Sequence, residues 1–91
     1  KVFPAQVEVV IAEHPDVSEC AVVGMPDEFG DETIKAFIVL KKDAEAGKAE
    51  LLQFFRDRLD GYKRPRDLEI LASLPKNALQ KVLKRELREL K

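Results

Sequence analysis

The sequence predicts an α+β domain: a small mixed β-sheet with a β-hairpin, packed by about three helices in the order α-β-β-α-β-α. Three observations carry this. Two apolar runs, Val17 to Met25 and Thr33 to Leu40, are separated by a short segment with turn chemistry. Leu51, Leu52, Phe55 and Leu59 recur at the spacing of a helix face. The 91 residues suffice for one hydrophobic core and not for two.

The elements follow in order. Pro4 suits the first turn of a helix, where its missing N–H costs nothing. Val7, Val10, Ile11 and His14 continue that helix as one apolar stripe, and Pro15 stops it. The first strand holds the unbroken run Ala21-Val22-Val23, and the second holds Phe37-Ile38-Val39-Leu40, a pattern that predicts burial on both faces. The Pro26–Asp31 connection makes the pair an antiparallel hairpin. Lys41 to Lys48 is a charged loop, and Gly61 is placed as the C-terminal cap of the second helix. Tyr62-Lys63-Arg64-Pro65 cannot continue that helix. Leu68 to Leu71 reads as a third strand, Leu74 to Asn77 as a turn, and Leu83, Leu87 and Leu90 as a charged C-terminal helix.

Composition excludes several classes of function. With 45% hydrophobic residues and a net charge of −1, the chain is too apolar and too nearly neutral for disorder. No run approaches the roughly 18 apolar residues of a membrane span, and the N-terminus has no signal-peptide pattern. It also lacks an initiator Met, so the chain reads as a piece of something longer. One cysteine, Cys20, permits no internal disulfide, and the cytoplasm is the default compartment. One His and one Cys leave no zinc site. His14, before Pro15 at a helix end, and Cys20, inside an apolar strand, both read as structural.

Charge is unevenly distributed. Residues 1–47 carry four Lys/Arg against ten Asp/Glu, whereas residues 48–91 carry twelve against seven. That asymmetry points either to a basic face for phosphate groups or to two solvated faces of opposite sign. The balanced total and the lack of paired aromatics on a strand argue against nucleic acid.

The stretch from Leu74 to Arg88 is the most informative. Pro75, Lys76, Lys81, Val82, Lys84 and Leu87 fall on the pattern P-[RK]-x-x-x-G-K-[IV]-x-[RK]-x-x-L. Upstream, Val2-Phe3-Pro4-Ala5-Gln6-Val7-Glu8 is similar to V-[YF]-P-x-E-V-E, and His14-Pro15, Ala21 to Asp27, Lys35 to Val39 and Tyr62-Lys63-x-Pro65 follow in order. Together these resemble the C-terminal domain of the adenylate-forming (AMP-binding) acyl-CoA synthetases, across essentially the whole chain. Two positions depart from the pattern. Gln80 replaces the glycine before the motif lysine, which restricts the backbone there, and Gly30 stands one place from the expected Gly-Glu, now Asp31-Glu32.

The resemblance implies a single domain, residues 1–91, that is the mobile lid of an ATP-dependent acid–CoA ligase whose large N-terminal adenylation domain is its partner. It implies ATP, CoA and a carboxylic acid as substrates of the full enzyme, with Mg2+ accompanying ATP, and none of these bound by the lid alone. Lys81 would supply the charge for carboxylate adenylation, with another face of the domain serving the thioester step. Lys76, Lys84 and Arg85 are candidate phosphate-holding cations, or members of a solvated face. The acid, and the choice between CoA and a carrier pantetheine, stay open. The alternative is a stand-alone, non-catalytic α+β binding or regulatory module.

Overall fold

The computed structural model describes residues 3–26 and 28–90, apart from the side chain of Tyr62; the motif positions Val2 and Asp27 lie outside the described residues. The elements are α1 (Pro4–Ile11), β1 (Val17–Pro26), β2 (Glu32–Leu40), α2 (Lys48–Arg58), a single 3-10 turn (Gly61–Lys63), β3 (Asp67–Ile70) and α3 (Lys84–Arg88). The predicted α-β-β-α-β-α order is present.

The three strands form one mixed sheet in the order β1-β2-β3, with β1 antiparallel and β3 parallel to β2. The parallel pair needs a crossover, and α2 supplies it. Even-numbered residues Val22, Ile34, Ala36, Ile38 and Leu68 point to one side of the sheet, where Val7 and Ile11 of α1 and Leu51 and Phe55 of α2 close over them. Odd-numbered Ala21, Val23 and Phe37 point to the other side and meet Leu74 and Leu87. The sheet is therefore covered on both faces, by two helices on one and by the C-terminal segment on the other. This is why Ala21-Val22-Val23 and Ala36-Phe37-Ile38 are buried without alternation.

Local chemistry sets several element ends. Pro4 opens α1 as expected. Arg56 and Arg58 in the last turn of α2, with Glu50 in its first, suit the helix dipole. Gly61 does not cap α2: the helix ends at Leu59, in extended conformation, and Gly61 begins the 3-10 turn instead. The C-terminal helix is shorter than its leucine spacing implies, only five residues, because Val82 is paired with Lys76 and the Leu83 N–H is bonded to the Pro75 carbonyl. Those bonds make residues 75–83 a small hairpin.

His14 is buried and joins α1 to α2. Its Nδ1 accepts the Asp16 N–H at 3.0 Å, which leaves Nε2 to carry the proton facing Glu50 Oε2 at 3.3 Å. Its ring meets Phe54 edge-on, with centroids 4.6 Å apart. The role is structural, as the sequence indicates.

β1 pairs with a strand on one side only, so its outer backbone groups need other partners. Glu8, on α1, supplies the main one: its Oε2 accepts the N–H of fully buried Val22 at 2.8 Å and the Lys84 ammonium at 2.9 Å. Two features predict unequal costs for breaking these contacts. Losing the acceptor strands a buried N–H, which costs about 1–3 kcal/mol, whereas the half-exposed ion pair with Lys84 is worth at most about 1 kcal/mol. Glu8→Ala should therefore lower unfolding free energy in urea by about 1–3 kcal/mol, Lys84→Ala by less, and Glu8→Gln should recover most of the Ala loss.

Candidate functional site

The pattern residue Lys81 lies in the 75–83 hairpin, and one residue organises the loop that presents it. The Asn77 N–H donates to the Lys81 carbonyl at 3.0 Å, and the Asn77 carbonyl accepts the Gln80 N–H at 3.0 Å. The Asn77 side chain then closes the loop from within: Oδ1 accepts the N–H of Leu79 at 2.9 Å and that of Lys81 at 3.0 Å. Short hairpin loops place a left-handed residue here, normally glycine. Gln80 takes it, with φ 66°, which is the conformation the family's glycine would reach without steric cost. The departure at Gln80 thus puts a side chain on a left-handed backbone that a glycine takes without cost. At the other departure Gly30 has φ 85°, so the displaced glycine is the one that uses its freedom.

The structure separates the candidate cations. Lys76 is ion-paired with Glu19 on β1. Lys84 is paired with Glu8. Arg88 Nε donates to the Gly24 carbonyl on the outer edge of β1 at 3.1 Å. Lys81 and Arg85 are exposed, and neither side chain has an ion-pair or hydrogen-bond partner among the described residues. Both line an open groove of about 460 Å³ together with Asn77, Val82, Leu83, Lys84 and Glu86. The basic tail is thus divided: Lys76 and Arg88 fasten it to β1 and Lys84 fastens it to α1, while Lys81 and Arg85 are exposed. Lys81 is a compact ammonium on a flexible stem, mounted on a loop that is itself tied down.

A second basic concavity was not legible in the sequence. Arg56 of α2 meets Arg64 and Arg66, from the segment after the 3-10 turn, around a hollow of about 410 Å³ also lined by Glu32, Thr33 and Ile34. It lies on the α2 side of the sheet, away from the tail that carries Lys81. Arg64 Nε is held by the Leu59 carbonyl at 2.7 Å, which fixes one guanidinium in place. Its cations come from α2 and from the segment after the 3-10 turn, at a spacing that matches no motif; only the excess of Lys/Arg over residues 48–91 marks them.

Among the described residues no cluster of three or more His, Cys, Asp or Glu exists that would hold a metal ion. No helix among them is long and apolar enough to cross a membrane. Cys20 is no nucleophile: burial pushes its thiol up to about 11, neighbouring Glu8 adds to the rise, and nearby Lys84 only partly opposes it.

The family model of the AMP-binding enzyme C-terminal domain matches residues 6–81, a span that closes on Lys81 itself. The chain is 46% identical over 88 residues to a long-chain-fatty-acid–CoA ligase of Bacillus subtilis, covering 97% of this chain and 16% of that protein. It is 44% identical over 89 residues to a 2-succinylbenzoate–CoA ligase of Geobacillus kaustophilus, covering 98% and 18%. Among solved structures, the anthranilate CoA ligase AuaEII in complex with anthranoyl-AMP superposes with a TM-score of 0.86 at 37% identity, over 97% of this chain and 18% of that one. The chain therefore spans less than a fifth of the length of these relatives.

The Cys20 thiol gives a pH-dependent expectation. Its folded pKa lies above the usual 9.0, so its contribution to stability is complete below pH 9 and is lost as pH rises toward about 11. At pH 8, iodoacetamide should alkylate the folded chain about 10- to 100-fold more slowly than the urea-unfolded chain, because burial leaves less thiolate to react. Equal rates would mean an accessible thiol of ordinary acidity.

Proposed function

The chain belongs to the AMP-binding enzyme C-terminal domain family, and from that premise we propose that it is the mobile lid of an ATP-dependent acid–CoA ligase, with Lys81 supplying the charge for the adenylation step. The observation that carries the reading is the contrast within the tail: flanking Lys76 and Lys84 are paired to β1 and α1, while Lys81 stands exposed between them on an ordered loop.

The chemistry accounts for the residue type. A carboxylate oxygen attacks the α-phosphorus of ATP, the bond to the bridging oxygen breaks, and pyrophosphate leaves with the electron pair. Two anions approach, and negative charge builds on the phosphoryl oxygens. An ammonium arriving from outside the nucleotide pocket neutralises that charge without blocking the in-line path. The pocket itself belongs to the N-terminal domain, which is the partner in the same chain, and the acid is selected there. The site is thus split between two bodies, and closure of the lid completes it.

Thioester formation is assigned to the other side of the sheet. The hollow formed by Arg56, Arg64 and Arg66 offers guanidiniums to the phosphates of CoA at a distance from Lys81 that a domain rotation would exploit. A soluble intracellular compartment fits these substrates.

Two measurements test this reading. In the full-length enzyme, Lys81→Ala should lower ATP–pyrophosphate exchange by about 10²–10³, the usual loss for one preorganised charge-stabilising group. Transfer to CoA from supplied acyl-adenylate should stay near the unmodified rate. Equal losses in both would make Lys81 a structural residue. The isolated 91 residues, incubated with ATP, CoA and a panel of carboxylic acids, should release no pyrophosphate; turnover by the pure piece would overturn the split site.

A further inference from the structure

Lys81 can act only if its loop holds one shape, and the loop lacks the residue that would make that shape cheap. Gln80 sits at φ 66°, where a side chain bearing a Cβ is disfavoured. Left to local preference, the backbone would relax toward negative φ and swing the next residue away. Something must hold it, and every hydrogen bond within the loop involves Asn77.

Asn77 contributes its N–H, its carbonyl and its side-chain oxygen to four bonds within five residues. Two of these end directly on the backbone of Lys81, one on its N–H and one on its carbonyl. The side-chain oxygen is the part a substitution removes cleanly, because every residue but proline retains the N–H and C=O. With Oδ1 gone, the N–H groups of Leu79 and Lys81 turn to water and the left-handed residue loses its restraint. The rest of the domain would be untouched: residue 80 is exposed, and the hairpin stem is held separately by the Lys76–Val82 bridge and the Leu83–Pro75 bond.

We propose that Asn77 is a positioning residue for Lys81: its carboxamide oxygen fixes the loop so that the lysine enters the adenylation site from one direction. The inference rests on the reading of Lys81 as the adenylation lysine. Asn77 touches no substrate; it acts through the backbone of Lys81. It also explains how Gln80 is tolerated beside the motif lysine, since the asparagine supplies the restraint that a glycine would make unnecessary.

The test uses the full-length enzyme, with palmitate, 2-succinylbenzoate and 4-coumarate as probes and the fastest of the three taken forward. Asn77→Leu removes the acceptor at similar volume, Asn77→Asp restores it, and Lys81→Ala is the reference. Exchange of pyrophosphate into ATP and transfer of the acyl group from supplied acyl-adenylate to CoA are measured for each, with the thermal midpoint as the readout of folding. Misplacing a catalytic group by about 1 Å costs up to about 100-fold, so Asn77→Leu should lower kcat for exchange by about 10- to 100-fold. KM for ATP, acyl transfer and the thermal midpoint should change little, and Asn77→Asp should recover exchange to within about threefold of the unmodified enzyme. If Lys81→Ala cripples exchange while Asn77→Leu leaves it intact, the positioning role is wrong and the lysine reading stands. Equal loss in both half-reactions, or a loss that Asn77→Asp does not repair, makes Asn77 merely structural and overturns the proposal. If Lys81→Ala itself leaves exchange unchanged, the lysine reading fails and the proposal fails with it.

Discussion

The outer edge of β1 is the constraint on which the remainder of the molecule depends. A three-stranded sheet with β1 at its margin leaves the Val22 N–H and the Gly24 carbonyl without strand partners, in a part of the molecule that water does not reach at Val22. Side chains take the place of a fourth strand. Glu8 reaches across from α1 to the Val22 N–H, and Arg88 reaches from α3 to the Gly24 carbonyl. Because Glu8 also binds Lys84, and Glu19 binds Lys76, the same edge collects the C-terminal segment. An exposed edge invites pairing with other chains, and here it is covered by charge and by a helix.

That arrangement gives the uneven charge of the chain a structural meaning. The acidic first half provides Glu8 and Glu19, and the basic second half provides the cations that reach them. Neither a uniformly basic face nor two independent solvated faces describes the result. Cations flanking the 77–81 loop are consumed in fastening it, and Lys81 and Arg85 are left over for whatever the groove meets. The mount of the loop is tied at several points while the Lys81 ammonium stays free, a division that suits the proposed role of delivering one charge. The three arginines form a separate basic surface, lined by residues none of which borders the Lys81 groove.

The strands and the long helix were legible because their signals are strong and redundant. β1 and β2 are buried on both faces, and an unbroken apolar run records that directly. Leu51 and Phe55 hold α2 against the sheet exactly where helical spacing puts them, since no competing partner claims those residues. The C-terminal segment was less legible. Leu83, Leu87 and Leu90 have helical spacing, yet tertiary pairing with Pro75 and Lys76 takes residues 82 and 83 into a hairpin, and Leu90 ends partly exposed. That hairpin has no Asn-Gly or Asp-Gly signature, because Asn77 and Gln80 share the work from either end of the loop. Lys81 stood out only through its resemblance to a family pattern; as a lone residue it is one exposed lysine among many. The arginine hollow had no signal beyond charge, as the fold, not a motif, brings Arg56 of α2 against Arg64 and Arg66 of the segment that follows it.

The proposed role of Lys81 requires its ammonium to reach the acyl-adenylate in the full-length protein. A crystal structure of the full-length protein with a non-hydrolysable acyl-adenylate analogue measures this directly. The account predicts the Lys81 Nζ within hydrogen-bond distance of the analogue's phosphate-equivalent oxygens, with the Asn77 bonds and the Glu8–Val22 and Glu8–Lys84 contacts unchanged, so that the lid has moved as one body. A closed complex in which Lys81 points to solvent, while another cation occupies that place, would contradict it.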